Sequence, residues 1–195
     1  NLPDDEALAE REKTNLRLAR PELAVLLSYS KILFKQQLLA TDIAQDGFVE
    51  EEIFRIFPAL IGERYPQALR NHALKKEVIC NHLANEILDL MGLTFAYRQM
   101  KSTGAGADDM VRAYLIVREF LDFEAVWREI EALDHRRDWA IQADLLLNLM
   151  RLGRRTTRWV IRNRRTCANI RAEVQSLKPI LGDLLAAGVE QSETL

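Results

Sequence analysis

Glycine and proline are scarce in this chain, at eight and five among 195 residues. Helices can therefore run long before a breaker interrupts them, and intrinsic disorder is confined to the two ends. Cysteine is scarcer still, with Cys80 and Cys167 alone. Two thiols so far apart do not suggest a disulfide scaffold, and a reduced, cytoplasmic setting is expected. No apolar run approaches the roughly 18 residues that a membrane span needs. The opening "NLPDDEALAEREK" is acidic and lacks an apolar core, so it does not read as a secretory signal. Its first residue is Asn, as expected of a piece of a longer chain.

What is present is ordinary in amount and uneven in placement. Hydrophobic residues make up 48% and charged residues 29%, enough for a substantial core. The net charge is −2, but residues 1–150 hold 18 basic against 25 acidic side chains, and residues 151–195 hold 9 against 4. An acidic body thus carries a basic end. That end can meet a polyanion, the acidic body itself or a neighbouring subunit.

Nearly every segment reads as helix. "PELAVLLSYSKILFKQQLLA" has Pro21 at a first helical position and Glu22 beside it, where a negative charge favours the helix amino end. One apolar stripe runs Leu23, Leu26, Leu27, Phe34, Leu38, and a second runs Val25, Tyr29, Ile32, Leu39. A helix apolar on most of its circumference is expected to be buried, so residues 21–40 are expected to form the central helix. Further helices are expected over 48–57, stopped by Pro58, and over 66–91, stopped by Gly92, with Leu69, Ile79, Leu83, Ile87 and Leu90 inward. "LTFAYRQM" allows a helix or an extended connection. Asp108 is read as the N-cap of a helix over 109–120. Helices over 122–133 and 138–163 follow, and Pro179 is read as starting a last short one. No alternation supports a strand, and no repeat has a solenoid period. The expected fold is all-α, a single multi-helix domain of about eight to ten helices. Residues 1–19 form a partly helical arm, residues 20–188 the domain, and residues 189–195 a frayed tail.

Catalytic and cofactor motifs are missing. "GAGA" around Gly104 and Gly106 lacks both the third glycine and the preceding strand of a dinucleotide site. His72 and His82 are ten residues apart, about 280° around one helix, and cannot share a metal; His135 has no nearby Cys or His. No nucleophile elbow appears, and no carboxylate pair is marked as an acid–base couple. The expectation is no catalytic, cofactor-binding or metal site in this segment.

The arginines remain. "RRTTRWVIRNRR" places six in twelve residues, from Arg154 to Arg165. Arg151, Arg155, Arg158, Arg162 and Arg165 step by 4, 3, 4 and 3, which on a helix forms one stripe about 80° wide. Leu149, Leu152, Gly153, Thr156 and Val160 lie on the opposite face, with Trp159 at its flank. Three readings stay open: a solvated or internally paired face, a protein–protein interface, and a nucleic-acid grip. The last is disfavoured because the rest of the chain is acidic.

A series of segments, in order, resembles one family. "RPELAVLLSYSKI" (Arg20–Ile32) is similar to a hallmark of the large bacterial NAD-dependent glutamate dehydrogenases. "FPALIGERY", "HALKKEVICNHLANEILDLMGLTFAYR", "TGAGADDMVRAYLIVREFLD", "WREIEALD" and "RTTRWVIRNRR" follow in family order. The similarity spans about Arg20 to Pro179 and departs at "KSTGAG", where the family often has an acidic residue before the threonine. The resemblance implies the helical C-terminal region of a much longer enzyme that oxidises L-glutamate to 2-oxoglutarate and ammonia with NAD. None of that family's catalytic or NAD-binding motifs matches here. It further implies that the segment alone is inactive, and that its partners are the remaining domains and sister subunits. The competing class is a free-standing helical adaptor or nucleic-acid-binding module using the Arg151–Arg165 stripe.

Overall fold

The structure, a computed structural model, describes residues 2–134, 138–163 and 169–179. Among these the α-helices are α1 (Asp5–Lys13), α2 (Arg20–Leu39), α3 (Ile53–Ile56), α4 (Ala59–Arg64), α5 (Pro66–Arg70), α6 (Lys75–Met91), α7 (Phe95–Thr103), α8 (Ala107–Phe120), α9 (Phe123–Glu131) and α10 (Trp139–Asn163). Residues 170–179 form α11. Single 3-10 turns, Ile43–Gln45 and Val49–Glu52, lead into α3. No strand occurs among the described residues, so the all-α expectation holds. His135, Arg165, Cys167 and the expected tail 189–195 lie outside the described residues.

The central helix is α8. Met110, Val111 and all six residues from Ala113 to Arg118 are buried. A helix covered on every side belongs inside the bundle. α10 packs along one side of it, and α7 and α9 close two others. α6 forms the second spine. Ile79, Leu83 and Ile87 make one buried row, and Cys80, Ala84, Leu88 and Met91 make the next. Such rows at four-residue spacing face a neighbouring helix on each side.

α2 corrects an expectation. Its bounds are close to those read from the sequence, yet only Phe34 and Leu38 are buried. α6 covers one flank of α2. Tyr29, Ile32 and Leu33 are 64%, 48% and 58% exposed. They share an arc of about 100° opposite Phe34 and Leu38. Leu26 is half-buried. Of the second apolar stripe, Leu39 packs against the core and Val25 is half-buried, while Tyr29 and Ile32 are left bare among the described residues.

Three smaller corrections concern helix ends. The expected helix 66–91 is broken between α5 and α6, where Nδ1 of His72 accepts the Leu74 N–H at 3.1 Å and satisfies a local turn. Leu69, Ile79, Leu83 and Ile87 are buried as expected, and Leu90 is half-buried. α8 starts at Ala107 with Gly106 as its N-cap. Asp108 therefore lies in the first turn, and its Oδ2 accepts from Arg112 Nη1 at 3.1 Å. Pro179 lies within α11 rather than at the start of a helix.

Gly92 and Gly153 set the approach of α10. Gly92 ends α6 at φ 93°, a backbone state open to glycine and strained for other residues. At Gly153 a Cβ would lie 2.9 Å from Phe123 Cε2 and 3.0 Å from Met91 Cε. Both neighbours are buried, and the Phe123 ring has less freedom to shift than the Met91 methyl. Gly153→Ala is expected to destabilise the domain by about 1–3 kcal/mol through overpacking. Urea unfolding measures this, and an unchanged midpoint would mean that α10 can shift freely on α6 and α9.

Candidate functional site

Two charged assemblies stand out, one buried and one open. The buried one centres on Arg118, only 5% exposed although arginine is normally a surface residue. Its Nη1 donates to Glu52 Oε2 at 3.0 Å and to Glu86 Oε1 at 3.1 Å, and its Nη2 donates to Glu52 Oε1. Nε donates to Glu119 Oε1 at 3.1 Å. Tyr114, one turn earlier on α8, donates its hydroxyl to Glu86 Oε1 at 2.7 Å. Nε2 of His82 lies 3.1 Å from Glu86 Oε2.

The electrostatics follow from this geometry. Burial pushes the Glu86 carboxyl up, but His82, Arg118 and Tyr114 together outweigh it and hold the pKa at about 2. Burial also works against charge on Arg118, and Glu52 and Glu86 more than offset it, so its pKa is raised. Burial and the adjacent Glu86 carboxylate raise the Tyr114 phenol. Near neutral pH, Glu86 and Arg118 are thereby held charged and Tyr114 neutral.

Glu52, His82 and Glu86 also bring one possible metal-ligand atom each within 4.8 Å of one another. The Arg118 guanidinium bonds both oxygens of Glu52 and both of Glu86, so these carboxylates already have a counter-charge. The cluster is a charge network that joins the segment before α3 to α6 and α8. Sequence reading did not find it. The one available signal was Tyr114 and Arg118 at four-residue spacing within the apolar run "AYLIVREF".

The open assembly involves the arginines of α10. Their phasing is as expected, with Leu149, Gly153 and Val160 buried, but Leu152 is 49% exposed, Thr156 half-buried and Trp159 47% exposed. The described arginines of the stripe make different contacts. Arg151 Nη1 donates to Asn148 Oδ1 at 3.1 Å, and Arg162 is exposed. Arg158 turns toward α7, its Nε donating to Gln99 Oε1 at 3.2 Å. Arg154, phased off the stripe, donates its Nε to the Met91 carbonyl at 2.6 Å. Gln99, 3% exposed, returns its amide N–H to the Arg154 carbonyl at 3.1 Å.

Arg98, Arg154, Arg155 and Arg158 line one pocket of about 370 Å³ between the α6–α7 corner and α10. No ion pair to these four occurs among the described residues. Several carboxylates of the acidic body are engaged elsewhere, as in Arg55–Glu124, Arg70–Glu51, Lys75–Glu50 and Lys31–Asp89. Burial, then the neighbouring Arg98 and Arg151, lower the Arg154 pKa. Cys80 is buried, and burial raises its thiol pKa, which makes it a poor nucleophile.

Comparison with known proteins shows the family of the chain. A family model described as "Glutamate dehydrogenase, C-terminal" matches residues 15–191. The chain belongs to this glutamate dehydrogenase family. The NAD-specific glutamate dehydrogenase of Pseudomonas aeruginosa is 40% identical over 194 residues, covering 100% of this chain and 12% of the relative. That of Halomonas elongata is 39% identical over 183 residues, 94% of this chain and 11% of the relative. The Mycobacterium tuberculosis enzyme is 30% identical over 173 residues, 89% of this chain and 10% of the relative. The chain thus spans about a tenth of the length of these glutamate dehydrogenases.

Two outcomes are expected of the buried network. Arg118→Ala should cost about 3–5 kcal/mol, because it strands Glu52 and Glu86 without their counter-charge. Equal denaturant midpoints for the two proteins would contradict this. Glu86, held near 2 rather than 4.5, contributes stability that is complete above the ordinary value and lost as pH falls toward 2. The loss is on the order of 3 kcal/mol. Melting temperatures should fall across that window and fall less steeply in Glu86→Gln.

Proposed function

We propose that this chain is a helical docking domain of a large NAD-dependent glutamate dehydrogenase. In this reading the parent enzyme converts L-glutamate, NAD and water to 2-oxoglutarate, ammonia and NADH in the cytoplasm, and this segment supplies no catalytic group. Its partners are the remaining domains of the parent and its sister subunits. The supporting observation is apolar surface left bare on long helices. On α2, Tyr29, Ile32 and Leu33 are exposed opposite the buried face. On α10, Ile141, Leu145, Leu152 and Trp159 follow at intervals of four and seven residues, and each is at least 40% exposed. Stripes of this kind usually mark contact surfaces, and roughly nine-tenths of the relatives' length lies outside the matched region. No helix among the described residues is long and apolar enough to cross a membrane, so the stripes do not belong to a span.

Two measurements test the reading. The purified 195-residue chain should form no NADH from glutamate and NAD, and turnover free of contaminating enzyme would refute its non-catalytic role. Tyr29→Asp with Ile32→Asp should change the melting of the isolated chain little, as surface substitutions usually do, within about 0.5 kcal/mol each. In the full-length protein the same pair should lower the melting temperature and expose this domain to limited proteolysis. Full-length protein that is equally stable and equally protease-resistant would rule out docking through α2.

A further inference from the structure

The pocket between the α6–α7 corner and α10 collects four cationic groups and is lined by no carboxylate. Like charges so close repel one another unless something compensates them. Their placement is nonetheless built rather than accidental. Gln99, almost wholly buried, holds Arg158 through its carbonyl oxygen and α10 through its amide. Arg154 is held by the Met91 carbonyl. In both arginines Nε makes the inward bond, so the Nη groups stay available for a ligand. A Cβ on Gly92 would lie 2.8 Å from Arg154 Nη2, so the glycine also leaves room for that guanidinium. The amino end of α7, at Thr94 and Phe95, forms part of the wall and adds the positive end of a nine-residue helix dipole.

We infer that this pocket binds a small molecule bearing a diphosphate or polyphosphate group. Guanidinium forks match phosphate oxygens in pairs, and four of them suit a ligand carrying several charges better than a single carboxylate. A cavity of about 370 Å³ is in the range that encloses a small ligand. The apolar wall formed by Met91, Leu93 and Phe95 leaves space for an organic group attached to the phosphates. The inference is separate from docking through α2 and uses none of its residues.

The test is calorimetric titration of the full-length protein with inorganic pyrophosphate at low ionic strength, with succinate as a dicarboxylate comparison. Saturable pyrophosphate binding is expected. Arg98→Gln with Arg158→Gln should weaken it by about tenfold or more, because two charge-assisted contacts are lost. Arg162→Gln, exposed and outside the pocket, should leave it unchanged. Unaltered circular dichroism melting of the double variant separates loss of binding from loss of folding. If the double variant melts lower, Arg98→Gln alone should still weaken binding severalfold. Absence of saturable binding would overturn the inference, and so would equal binding by the variants or succinate binding as tight as pyrophosphate.

Discussion

Arg118 constrains this fold more than any other residue, because a buried guanidinium tolerates few neighbours. Removed from water, it requires counter-charge and hydrogen-bond acceptors on several sides at once. Glu52 and Glu86 supply them from two other parts of the chain, with Tyr114 completing the shell around Glu86. The 3-10 turn carrying Glu52, the middle of α6 and the last turns of α8 are thereby held at fixed distances. Apolar packing on its own tolerates sliding between helices of similar shape. A paired guanidinium does not, since a displacement of an ångström breaks several charged contacts together.

α10 sits on this frame by a different device, small size. Gly153 lets the helix close on Phe123 and Met91, and Gly92 turns the chain so that Arg154 can reach the Met91 carbonyl. The result is a helix with three distinct long faces. One is buried on α8, one carries arginine, and one is apolar and bare. Only the first is explained by the domain's own stability. The arginine face is partly engaged by Gln99 and the Met91 carbonyl, and the apolar face is left exposed.

Much of the architecture was legible in the sequence because helix boundaries are local. Pro21, Gly92 and Gly104 act through φ preferences and missing donors, and each marks a helix end close to where it occurs. Burial was less legible because it depends on partners. The two stripes of α2 look alike as sequence, and only the packed structure shows that Phe34 and Leu38 are covered while Tyr29 and Ile32 are bare. α8 was hard to recognise as central because Arg112, Arg118 and Glu119 make it look amphipathic, while three-dimensional pairing lets it carry charge inward. For the arginines, helical phasing predicted the face but not its division. Arg154 and Gln99, which organise the pocket, are linked across 55 residues.

The buried network also bears on the order in which the domain is made. Glu52 and Glu86 precede Arg118 by 66 and 32 residues. A ribosome therefore releases both acids well before the cation that permits their burial. Until α8 emerges, α6 has apolar rows ready to collapse and a carboxylate among them that resists collapse. Burial of Glu86 is therefore conditional on Arg118, so the closed core around α6 belongs only to the chain that already contains α8.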